Sequence, residues 1–205
     1  MKKYLPLIIL VVGALVITGA FFVLKARKSK PEIEDDETAL LNLSLEERPV
    51  VSLTPTSDGH YITLKVEKIT FDPKSVDYLL LYETSEGVQQ GVPGTVELEG
   101  KKEFEEKLLL GSESSGKFRY DEGVENGSVE LKFRNSDGEL MAKFETDFHM
   151  QTSTIELSSS DGKFNYLVDE AEEGVFYVTM QTVGVPGDGF KSVTSDNGYA
   201  VFSSN

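Results

Sequence analysis

The chain has 205 residues, with 20 lysines and arginines against 35 aspartates and glutamates, a formal charge of −15, and neither cysteine nor tryptophan. The missing thiols exclude disulfides, thiolate chemistry and zinc–thiolate sites. The acidity repels phosphate backbones and sets nucleic acid aside as a partner.

Charge is unevenly distributed along the chain. The first 30 residues hold six basic side chains and no acid, leaving residues 31–205 with 14 basic and 35 acidic ones, a charge of −21. Within that basic start, Tyr4 to Leu24 is an uncharged apolar run of 21 residues. At about 1.5 Å per residue it reaches about 31 Å, the hydrocarbon thickness of a bilayer, and predicts one transmembrane helix within segment 1–28. A cleaved signal peptide is the competing reading, with Lys2 and Lys3 as its basic start and Thr18-Gly19-Ala20 before a cut. The run continues through Phe21-Phe22-Val23-Leu24, beyond an h-region of about 7–15 residues, so a retained anchor is expected.

Lys2 and Lys3 precede the span while Lys25, Arg27, Lys28 and Lys30 follow it. A positive-inside count therefore slightly favours a cytoplasmic C-terminal region. Against that count, Met-Lys-Lys before an apolar helix resembles a bacterial signal anchor, and the acidic tail resembles an exported module. The expected arrangement is single-pass, with the C-terminal domain extracytoplasmic.

Residues 29–47 read as a linker. Glu32 to Glu37 carries five acids among six residues and too little apolar surface to offset the entropy of ordering. From residue 48 the pattern has a period of two. Ile62, Leu64 and Val66 alternate with Thr63, Lys65 and Glu67, as in a strand with one buried face. Six further runs fit strands: Val50 to Leu53, Val76 to Tyr82, Thr95 to Glu99, Phe104 to Leu110, Val129 to Phe133 and Leu140 to Phe148. Ser-Asp-Gly at residues 57–59, 136–138 and 160–162, with Ser195-Asp196-Asn197-Gly198, supplies hairpin turns. Residues 151–205 fit about five short strands. Gly-Val-Pro-Gly recurs at residues 91–94 and 184–187, with too few other matches for a tandem repeat.

These features predict an all-β chain: a seven-strand antiparallel sandwich over residues 48–150 with a smaller β extension or second small domain over 151–205. With the anchor and acidic spacer, the layout resembles anchored bacterial envelope proteins carrying immunoglobulin-like or fibronectin type III-like domains, a family without a characterised activity. The resemblance covers about residues 48–150 and lacks the paired Cys and core Trp of true immunoglobulin domains, so it implies architecture alone.

No catalytic, cofactor or metal constellation emerges. His60 and His149 lie far apart in sequence, and neither has a second His spaced for metal binding. Gly111 to Gly116 departs from G-x-S-x-G, and Gly187-Asp188-Gly189 lacks the Lys of a phosphate loop. Binding is the better class, and no cofactor is expected. Loops Glu83 to Gly94, Gly111 to Gly116 and Asp121 to Gly127 offer Gln89, Gln90, Ser112, Ser114, Asp121 and Glu122 to a protein or glycan. Phe118, Tyr120, Tyr78 and Tyr82 would form an aromatic platform or, as strand aromatics usually do, fill the core. Asn42 and Asn126 begin glycosylation sequons. The leading expectation is a non-enzymatic binding, adhesion or scaffolding protein of the envelope. The alternatives are an accessory or sensor ectodomain of a membrane complex, and a hydrolase with an unrecognised site.

Overall fold

The computed structural model describes residues 40–186, 193–194 and 198–204. Tyr4, Leu24 and the span between them lie outside the described residues, as does the acidic run. The described residues form strands and turns and no helix. In chain order the strands are β1 (Val50–Pro55), β2 (Tyr61–Glu67), β3 (Ser75–Glu83), β4 (Gln89–Glu97), β5 (Phe104–Leu109), β6 (Gly111–Ser114), β7 (Lys117–Tyr120), β8 (Asn126–Arg134), β9 (Leu140–Thr152), β10 (Glu156–Ser158), β11 (Asn165–Leu167), β12 (Phe176–Gln181), β13 (Val193–Thr194) and β14 (Tyr199–Ser203). The seven runs read from the sequence correspond to β1 to β5, β8 and β9. The hairpin β6–β7 stands in place of an expected loop.

Every pairing is antiparallel. The two larger sheets have the orders β1-β2-β5 and β13-β14-β12-β9-β8-β3-β4, and β6-β7 and β10-β11 are separate two-stranded hairpins. Alternation sends Ile62, Leu64 and Val66 of β2 into one core with Val76, Leu80 and Tyr82 of β3 and Val129, Leu131 and Phe133 of β8. Two antiparallel sheets thus share a single apolar interior, a sandwich-like all-β arrangement. The outer face of β3, β8 and β9 carries a charge ladder. Arg134 Nε donates to Asp77 Oδ2 at 2.6 Å, and Lys143 Nζ lies 3.1 Å from Glu130 Oε2.

β9 runs through residue 150, the expected boundary, and pairs with β12 from Met180↔Phe148 to Phe176↔Thr152. The C-terminal strands therefore extend the large sheet. Hairpin β10–β11 covers part of its outer face, where Leu157 joins Val175, Tyr177 and Val201 in a second cluster. Beside that cluster Thr179 is 1% exposed, and its hydroxyl has no hydrogen-bond partner among the described residues. Thr179→Val, which removes an uncompensated buried polar group at constant shape, is expected to raise unfolding free energy by about 1 kcal/mol in urea titrations.

The Ser-Asp-Gly triplets make the turns β1–β2, β8–β9 and β10–β11. In the first and third the geometry repeats. Thr56 Oγ1 accepts from Tyr61 N and donates to Asp58, and Ser159 Oγ accepts from Phe164 N and donates to Asp161. The third turn is also fastened to β14, because Tyr199 Oη donates to Asp161 Oδ2 at 2.6 Å and the Phe164 and Tyr199 rings stack. Hydrogen bonds from Tyr199, Ser159 and Lys163 hold the Asp161 carboxyl well below the usual aspartate value, while burial and then Asp161 push Tyr199 up to about 12. A depressed carboxyl stabilises the fold fully above its unfolded value of about 3.9 and loses that contribution as pH falls towards the folded value. Asp161→Asn is therefore expected to flatten the acid limb of a melting-temperature profile below pH of about 4 and to lower the plateau at neutral pH.

The described residues begin at one end of the sheets. Leu41 N donates to Met141 O at 2.8 Å, and Thr70 Oγ1 donates to Glu47 O at 2.7 Å. Along β9, His149 lies eight residues beyond Met141, about 26 Å away at about 3.3 Å per residue. Loops near His149 are thus at the opposite end from Leu41.

Candidate functional site

At that opposite end the chain leaves β5, passes Leu110 and turns outward. The backbone of β6–β7 pairs only within the hairpin, in the register Gly111↔Tyr120 to Ser114↔Lys117. Gly111 makes the departure possible. It has φ +150°, and a Cβ there would lie 2.1 Å from the carbonyl oxygen of Arg119. Alternation puts Phe118 and Tyr120 on one face and Arg119 on the other. Tyr120 then stacks on His60 with centroids 3.7 Å apart and planes at 4°, and Phe118 lies parallel to Tyr120 at 6.1 Å. Tyr61 meets Tyr120 edge-on, and Lys107 Nζ sits 4.2 Å above the Tyr61 ring. The inner part of this ladder fixes the hairpin. Its outer ring, Phe118, is 50% exposed.

His60 also lines a groove of about 520 Å³ between the β1–β2 turn, the segment 121–125 and the end of β9. Val124, Met150 and Phe176 contribute apolar surface, and Asp58, Asp121, Glu122 and Glu125 contribute carboxyl groups. Among the described residues, no lysine or arginine lines it. Asp58 is held below its ordinary value by the Thr56 hydroxyl and then the His60 N–H, so it is anionic at neutral pH. Asp121 accepts from Tyr82 Oη at 2.9 Å; burial and this carboxylate push the Tyr82 phenol far above the usual tyrosine value. Backbone bonds from Ser85 N to Glu122 O and from Met150 N to Glu125 O fix the segment that presents the acids. A concavity near the chain's entry gathers Lys65, Lys68, Lys101 and Lys102. Three of these are engaged within the fold: Lys65 with Glu67, Lys68 with Val185 O and Lys102 with Asp72.

The sequence-derived candidates fall in different places. Asp121 and Glu122 line the groove. Ser112 and Ser114 belong to β6 on the projecting hairpin, and Gln89 and Gln90 belong to β4 rather than to a loop. The four proposed platform aromatics divide. Tyr82 is buried and Tyr78 half-buried over Gly94, while Phe118 and Tyr120 reach the hairpin surface. His60, as partner of Tyr120 and wall of the groove, was hidden in the sequence because its partner lies 60 residues away. His149 lines the same groove, with Nδ1 2.8 Å from Ser158 O. Asn42 and Asn126, the sequon asparagines, are exposed.

The described residues therefore form an all-β antiparallel fold with an acidic, aromatic-flanked groove at the end remote from Leu41. No family model, curated protein or solved structure matches it.

Proposed function

We propose that the protein is a non-enzymatic, single-pass membrane protein whose immunoglobulin-like or fibronectin type III-like β region lies outside the cytoplasm and binds a protein or glycan of the envelope. The observation that carries this reading is the polarity of the fold. Leu41, at the start of the described residues, lies beside Met141, and the groove lies towards the far end of β9, with Phe118 exposed on the neighbouring hairpin. A domain held at a surface by its entry end presents the other end to partners, and loops on a rigid scaffold are where recognition concentrates.

Alkaline carbonate extraction tests the anchor. The full chain is expected in the membrane pellet, and a chain without its first 30 residues in the supernatant. Recovery of the full chain in the supernatant would overturn the anchored reading.

A further inference from the structure

We propose that the groove receives a lysine- or arginine-containing polypeptide segment of its partner, an inference that rests on the binding-module reading and gives it a ligand class. Two independent features converge. The first is charge. Asp58, Asp121, Glu122 and Glu125 rim a groove that, among the described residues, no lysine or arginine lines. An anionic segment would meet repulsion there, and a cationic one is drawn in by complementary potential. The chain's net charge of −15 favours encounter with a cationic partner.

The second is aromatic. The ladder Phe118, Tyr120 and His60 runs from the tip of the hairpin to the groove wall, and its outermost ring is half exposed. The face of such a ring attracts an ammonium or guanidinium group within about 6 Å of its centroid. The fold already contains one such contact, between Lys107 and the neighbouring Tyr61. Phe176, partly exposed in the groove wall, gives the aliphatic stem of a lysine or arginine an apolar surface to lie on. Carboxylates for the head group, an apolar side chain for the stem and a ring for a second cation together describe a short basic segment. Neutral glycans would use the ring and the hydroxyl acceptors without needing four carboxyl groups.

The test uses the full-length chain in detergent and fluorescence anisotropy of labelled oligo-arginine, oligo-lysine and oligo-glutamate peptides, with uncharged chito-oligosaccharides as competitors. The double variant Glu122→Gln/Glu125→Gln removes two rim charges whose side chains hold no part of the turn. Its charge-matched control, Glu46→Gln/Glu99→Gln, removes two at the entry end. The basic peptides are expected to bind, the groove variant to weaken them by about tenfold or more, Phe118→Ala to weaken them further, and the control to remain near wild type. Equal weakening by groove and control variants would mean diffuse attraction and overturn the proposal. Binding of the neutral oligosaccharide in their place, lost in Phe118→Ala, would overturn the ligand class while leaving a binding module. Failure of every probe to bind would overturn the ligand class as well; the anchored reading is tested separately by carbonate extraction.

Discussion

Phe133→Ala is expected to lower the unfolding free energy by about 3–5 kcal/mol. Phe133 is fully buried on β8 and meets Phe71 edge-on at 5.2 Å and Phe144 at 5.8 Å. Phe71 comes from the β2–β3 connection and Phe144 from β9, so the ring ties a loop to the large sheet. Truncation removes the transfer free energy of the ring and leaves a cavity that two neighbouring strands cannot collapse to fill. Since domains of this size are stable by about 5–15 kcal/mol, the variant stands near the threshold of folding. With no cysteine in the chain, no disulfide compensates. Urea titration reads the effect as a lowered midpoint at unchanged slope, and Phe133→Leu, which retains most of the volume, is expected to cost about 1 kcal/mol.

Gly127→Ala is the second large effect, and its cause is different. Gly127 faces the core from β8, where an added Cβ would lie 2.2 Å from the carbonyl oxygen of Leu81 and 2.5 Å from the Phe148 ring. The first of these is backbone and cannot swing aside, so β8 must part from β3 at the place where segment 121–125 enters the sheet. Overpacking of this kind costs about 1–3 kcal/mol, and contact with backbone puts this site at about 3. Gly116→Ala on the hairpin is the contrast. Nothing lies within 4 Å of its Cβ position, and the only cost is a φ of +75°, about 1 kcal/mol. Denaturation of the two variants side by side separates steric from conformational glycine.

These glycines also mark where the sequence could be read and where it could not. Alternation of large apolar residues placed β2, β8 and β9, because burial of one face leaves a period of two that survives in the text, and β3 was placed by a run apolar on both faces. The Ser-Asp-Gly turns were equally legible, since their chemistry is local. Strand β4 was not. Gly91, Pro93 and Gly94 look like punctuation, so the reading began at Thr95, whereas the strand begins at Gln89. At the sheet edge the missing N–H of Pro93 is tolerated, and Gly94 makes room for the Tyr78 ring that covers it. Hairpin β6–β7 was hidden for a related reason. Its serines and glycines have the composition of a loop, and what fixes it is the stack of Tyr120 on His60, a contact absent from any local window. The pairing of β12 with β9, which carries β12 and β14 into the large sheet, is likewise a long-range choice made by packing. Of the candidate site, two acids of the groove were visible. Their convergence with Asp58, Glu125 and both histidines was not, because it depends on which strand ends share one end of the fold.

The central claim is that an anchored chain presents this end of its β region outside the cytoplasm. With no native cysteine, Ser114→Cys on the exposed hairpin gives a single thiol for a membrane-impermeant maleimide. Labelling in intact cells equal to that in lysed cells is the expected result; labelling only after lysis would contradict the account.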